Sequence, residues 1–250
     1  MIEFWFLTPA AALLAGLLAL APLGAQVLRR GVVFIDLAVA QAAAAAGGGR
    51  AAGGDPPGWW TTQAAALVGA LLAAALVALL ARRAPQQREA LIGLVYVACA
   101  CGALLAARGD PHGRERLGEL LAADVLWAGW PQVAVLAGAA LLTGLLRPWL
   151  TRDAVFFPLF ALAVSLAVPV LGLFVVFAML IAPALWNGWR LATAGSLAAI
   201  VLGLAISWAA DLPSGACVSL SLAAFGAASA WRRPDRAQTH RLARRGKQRA

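Results

Sequence analysis

The sequence predicts an all-α fold: a polytopic transmembrane helical bundle of eight or nine spans. Two observations carry this reading. Of the 250 residues, 62% are hydrophobic and only 12% are charged, whereas an ordinary soluble domain carries roughly a quarter charged residues. One globular core cannot hide that much apolar surface, because a large part of any soluble fold faces water. The charges that do occur cut the chain into apolar pieces close to the ~20 residues a helix needs to cross a bilayer. A soluble enzyme is thereby disfavoured, and lipid is the expected solvent for most side chains.

Taken in order, Phe4–Leu23 is the first span. It lacks a basic leading segment and is followed by further spans, so it reads as a retained helix and not as a cleaved signal. Gly31–Gly48 is a weaker second span that contains Asp36, and the Gly/Pro-rich stretch Gly47–Gly58 is a loop. Trp59 and Trp60 suit an interfacial belt at the start of the third span, which ends at Ala81. The fourth runs from Glu89 to Ala107 and a polar loop follows, holding Asp110, His112 and Asp124. The fifth runs from Trp130 to Leu146. Ala154–Trp189 is free of charge throughout and too long for one helix, so it is predicted to fold back near Pro169–Gly172 as two short spans. Leu191–Ala210 and Ala216–Trp231 complete the set. Residues 1–231 thus form one membrane domain, and 232–250 a basic tail expected to be disordered.

The formal net charge is +9, but most of it lies in that tail, where seven Arg and one Lys face the single Asp235. No aromatic residue is interleaved with these cations, which argues against nucleic acid as a partner. A basic segment after an apolar one marks the cytoplasmic side of a membrane protein and can touch anionic lipid. Arg29/Arg30, Arg82/Arg83/Arg88, Arg147/Arg152 and Arg190 are placed on that same side, with the Asp110–Asp124 loop and the Asp211 turn opposite. Nine spans close this alternation. Cys99, Cys101 and Cys217 form no CxxC pair and read as small apolar packing residues.

The residues that could carry chemistry are few. No GxxxxGK[ST] loop is present to cradle a nucleotide phosphate, and no HExxH motif or Ser/His/Asp set at a recognisable spacing occurs. The expectation is a non-enzyme that moves something across the membrane. Asp36 is the most informative position, because an ionisable group inside a span costs roughly 2.5–3.5 kcal/mol on insertion scales and so faces a cavity or a partner. Lining a pathway and pairing with Arg29 or Arg30 are both open to it. His112 is a loop residue, and Asp211 before Leu212-Pro213-Ser214-Gly215 has good turn chemistry.

Five segments, in order, resemble the zinc/manganese-type metal permeases of bacterial ABC transporters. PLGAQVLRRGVVFIDLAVAQAAA is similar to the family's second-helix signature of two basic residues, then Gly-Asp, then a His four residues on. EALIGLVYVACACGALL, DPHGRERLGELLAADVLW, VLGLFVVFAMLIAPALW and ISWAADLPSGACVSL resemble its acidic-Ile-Gly helix, its Pro-His-Gly loop, its Leu-Ile-x-Pro-Ala segment and its terminal Asp-x-Pro-x-Gly turn. The resemblance covers Pro22 to about Ser229.

This resemblance implies an ABC importer permease in the bacterial inner membrane. Two copies would form a path for zinc or manganese, a cytoplasmic ABC ATPase would bind the ATP, and a periplasmic or lipid-anchored metal-binding protein would deliver the ion. No stably bound cofactor is implied. Asp36 matches the family's pathway position, with Gln41 and the external-loop His112 as lesser metal candidates and Glu89 and Asp153 as ATPase-coupling candidates. Three departures stand beside it. Ile35 replaces the Gly, the position of the His is Ala40, and Gln41 lies one step round the helix, about 100° away. The Leu146–Phe157 connection is also short for the family's coupling region. A His-based metal station therefore does not transfer. Alternative readings are a permease for a metal chelate or cobalamin-like solute, and a membrane scaffold that transports nothing.

The cations of the tail give a direct test of topology. A reporter active only outside the inner membrane, fused after Ala250, should be silent; activity there would reverse the assigned orientation.

Overall fold

In the computed structural model, the described residues are 6–47, 59–83, 88–106, 125–186 and 188–231. They form nine α-helices: α1 (Leu7–Arg30), α2 (Ile35–Gly47), α3 (Trp59–Arg83), α4 (Arg88–Ala106), α5 (Trp130–Leu146), α6 (Asp153–Leu171), α7 (Leu173–Ala184), α8 (Trp189–Ala210) and α9 (Ser214–Trp231). Short 3-10 turns, Val125–Trp127 and Arg147–Trp149, precede α5 and follow it. The 47–58 loop, the 110–124 loop with His112 and the 232–250 tail lie outside the described residues.

Helix ends fall where local chemistry puts them. α1 runs on from the apolar stretch, past the expected Leu23, to Arg30, where Gly31 takes φ 61° and closes the helix. The Gly31 and Val32 N–H groups donate to the Leu28 and Val27 carbonyls at 3.2 and 3.3 Å. This paired closure satisfies the last carbonyls, and Arg29 and Arg30 in the final turn complement the helix dipole. The charge-free stretch breaks at Gly172, whose φ of 79° costs glycine little and other residues much. Pro169 stands in the preceding turn.

Length and exposure sort the helices. Five stretches are long and apolar enough to cross a membrane: Leu7–Arg30, Trp60–Arg83, Trp130–Trp149, Asp153–Leu171 and Trp189–Ala210. Four of them carry exposed large apolar side chains, such as Val68, Leu72, Leu76 and Leu79 on α3 and Leu197, Val201, Leu202 and Ile206 on α8, and Asp153–Leu171 carries none. Spacings of three and four residues put the α3 set on one helix face, as lipid contact requires. The protein is membrane-embedded.

α2 and α7 differ. At 13 and 12 residues they span about 20 Å, short of the ~30 Å hydrocarbon core. They are also the enclosed helices. No residue from 35 to 43 is exposed, and on α7 only Phe174 is. α2 packs against α3, α4 and α6, while α7 packs against α1, α8 and α9. A short helix is tolerable at membrane depth where protein, not lipid, surrounds its ends.

The two ends of the bundle are marked by contacts between distant helices. At one end Arg30 of α1 and Arg82 of α3 both reach Asp153 of α6, and the Arg147 guanidinium lies 4.6 Å from the Trp189 ring centroid. At the other end Phe6 meets Trp208 edge-on at 6.1 Å, and the Val125 N–H donates to Ser214 Oγ at 3.1 Å. Asp211 forms the turn there, with φ 51°, and Ser207 Oγ donates to the Leu212 carbonyl at 2.6 Å. The C-termini of α1 and α3 thus meet the N-terminus of α6, and the C-terminus of α5 meets the N-terminus of α8.

The tightest packing lies between α1 and α7. Gly24 sits so close to the backbone of Leu180 that a Cβ would collide with its carbonyl group and lie 2.9 Å from its Cα. Backbone cannot yield as a side-chain tip can. Gly24→Val should therefore destabilise the detergent-solubilised protein by about 3 kcal/mol or more in thermal unfolding. Gly138→Ala, which meets nothing within 4 Å, should stay within about 0.5 kcal/mol of the parent.

Candidate functional site

α2 opens on Ile35-Asp36, with the acidic residue in the first turn, where the partial positive charge of the helix N-terminus favours it. The turn after Gly31 aims this end of α2 inward. Asp36 is 1% exposed, and neither carboxylate oxygen has a hydrogen-bond partner among the described residues. Ile35, Ala38, Val39 and Ala40 around it on α2 are buried too. Nearly every buried polar group in a protein is satisfied, so a buried carboxylate that no other side chain partners is an exception to be explained.

The neighbouring arginine does not supply the missing partner. Arg30 Nε donates to Asp153 Oδ1 at 3.2 Å, across 123 positions of sequence. Its Nη2 donates to the carbonyls of Leu150 and Thr151, each at 3.0 Å, and Nη1 to Gln26 Oε1 at 2.9 Å. The guanidinium carbon lies 4.2 Å from the centroid of the Phe156 ring. Arg29 is exposed. Of the two roles the sequence left open for Asp36, pairing with Arg30 is thus replaced by an Arg30–Asp153 pair.

The other sequence-derived positions fall as follows. Ala40 is 3% exposed and brings no polar side-chain atom to the face of Asp36, while Gln41 is half-buried and turned off that face. Glu89 is exposed in the first turn of α4. Asp153 is partly exposed and takes Arg82 Nη2 on its second oxygen at 3.4 Å. His112 lies outside the described residues. Among the described residues no group of three His, Cys, Asp or Glu stands close enough together to hold a metal ion. The site is one carboxylate in an apolar enclosure, six positions beyond an arginine hub. Sequence reasoning missed the role of Arg30 and of its partner Gln26. The only signal was an Arg pair preceding a Gly and an intramembrane Asp, and spacing cannot reveal contacts with residues 150–156.

No protein-family model and no curated protein matches this chain. Among solved structures it is similar to PsaBC from Streptococcus pneumoniae, determined in complex with an Fab, with a TM-score of 0.68 over 91% of each chain at 17% identity. At that identity the likeness is one of fold. It bears out the all-helical membrane fold expected from the sequence.

The unpartnered carboxylate makes a stability test decisive. Asp36→Asn should hold or raise the thermal stability of the isolated protein, since no side chain pairs with the buried carboxylate. Arg30→Ala should instead lower it, because it removes a partly exposed ion pair and two backbone contacts at once.

Proposed function

We propose that this chain is the transmembrane permease subunit of an ABC importer for divalent metal ions, zinc and/or manganese. The observation that carries the reading is the fold: a likeness to PsaBC, a metal ABC transporter permease, over nine-tenths of both chains. The buried, unpartnered Asp36 on an enclosed helix supports it, because a transport path needs a polar station that the fold itself does not consume.

In this reading the nine helices are nine spans in the bacterial inner membrane, with the N-terminus outside and the arginine end and tail in the cytoplasm. Two copies form the pathway. A separate cytoplasmic ATPase, docked near Glu89 and Asp153, binds and hydrolyses ATP, and this chain does no chemistry. An external metal-binding protein delivers the ion past the loop that carries His112. Asp36 supplies a negative charge and oxygen ligands, the donor type that suits divalent cations. With Ala40 in place of an imidazole, the hold on the cargo is weak. That favours release, since binding must be strong enough to admit the ion and loose enough to let it go. The burial of Asp36 corresponds to a closed stage of alternating access. The Ala40 position also favours a second reading, a permease for a metal chelate, because a cargo that brings its own ligands needs fewer from the wall.

Zinc and manganese accumulation in a deletion strain, complemented with this gene and its partner subunits, tests the proposal. Asp36→Asn should cut uptake at equal protein level by at least about tenfold, corresponding to ~1.4 kcal/mol of lost attraction. Unchanged uptake of both ions would sink the metal reading, and restored uptake of a preformed chelate alone would select the second one.

A further inference from the structure

We infer that Arg30 is a positioning residue that ties the cytoplasmic 147–153 segment to the Asp36 helix, so that a pull on that segment moves the α1–α2 turn. The inference rests on the permease reading above, in which the segment faces the ATPase. It is carried by the geometry of one side chain. Arg30 is the last residue of α1, directly before the four-residue turn that starts α2. Its guanidinium donates to five targets: Asp153 Oδ1 at 3.2 Å, the Leu150 and Thr151 carbonyls at 3.0 Å each, and Gln26 Oε1 and carbonyl at 2.9 and 3.5 Å.

Two of these targets are backbone atoms of the segment itself. A side-chain ion pair can follow a moving partner by changing rotamer, but bonds to two successive carbonyls move only with the chain. The segment is also braced internally, and its one apolar anchor is buried. Leu150 is 1% exposed, the Leu150 N–H donates to the Arg147 carbonyl at 3.4 Å, and the Arg152 N–H to the Trp149 carbonyl at 2.9 Å. The flanking residues Arg147, Trp149, Thr151 and Arg152 are exposed, as a docking surface requires. The Phe156 ring fixes the plane of the guanidinium, and Arg82 joins α3 to the same Asp153.

From the guanidinium the path to the carboxylate is short and stiff. Gly31 and Val32 are bonded back to α1, the Ile35 N–H donates to the Val32 carbonyl at 3.1 Å, and Asp36 follows. The lever therefore has its grip on the segment, its body in the α1 terminus and its load at the Asp36 end of α2. Lysine cannot replace it: a single ammonium keeps the charge but lacks the planar fork that reaches a carboxylate and two carbonyls at once.

The test uses the permease assembled with its ATPase subunit in nanodiscs or proteoliposomes, with zinc as cargo. Arg30→Lys should keep ATP hydrolysis while zinc moved per ATP falls by about fivefold or more, the usual scale of a lost coupling. Arg30→Ala is the harsher variant and need not fold. Hydrogen–deuterium exchange with and without ATP and orthovanadate reads the link directly. In the parent, peptides covering 147–156 and 31–39 should respond together, and in Arg30→Lys only the first should respond. A parental ratio and a joint response in Arg30→Lys would overturn the inference, as would a parent whose two segments respond independently. A parental complex that moves no zinc would fell the permease reading instead, and the exchange comparison would still decide whether Arg30 links the segments.

Discussion

The absence of water from the hydrocarbon core is the constraint on which this structure depends. A backbone N–H or C=O left unpaired there costs several kcal/mol, so each crossing segment must be helical and each interruption must be covered by protein. The arrangement of long and short helices follows. Long helices with exposed Leu, Val and Ile on one face stand around the outside, and α2 and α7, too short to cross alone, are enclosed by them. The break at Gly172 can exist because α1, α8 and α9 pack about the helix that follows it.

The same low dielectric decides where charge can be kept. At the arginine end, Asp153 is held by Arg30 and Arg82 and remains partly exposed, so the hub forms where water and lipid headgroups lower the cost of each ion. One helical turn into the bundle, Asp36 has no such relief. The contrast is instructive because Arg30 is near in sequence and chemically able to pair with Asp36. Its fork is instead filled by Asp153, two carbonyls and Gln26, which leaves the Asp36 carboxylate without a side-chain partner.

Much of the fold was legible in advance for a local reason. Charges are so costly in lipid that their positions punctuate the chain, and the Trp130–Leu146 helix and the helix break at Gly172 follow from that punctuation and from glycine's tolerance of positive φ. The candidate site was legible only as a residue type in an improbable place. Asp36 stood out because it is ionisable within a span, but its neighbours in space were not readable. Gln41, close to Asp36 along the chain, proves half-buried and off its face, whereas Asp153 proves to be the partner that occupies Arg30.

The sequence by itself, with eight or nine spans left open, determined the all-helical fold, the helix ends that carry arginine and the burial-averse residue that singles out α2. Each of these is fixed within a few residues by helix geometry, turn chemistry and the cost of charge in hydrocarbon. Only the tertiary structure decided which helices are enclosed, that Gly24 meets the backbone of Leu180, and that Arg30 pairs across 123 positions instead of six. In water an apolar stripe reveals which face turns inward. In a bilayer the lipid tails are as apolar as the protein core, so hydrophobic periodicity is nearly silent about neighbours. The choice of partners is left to shape and to the few polar groups that must find one another.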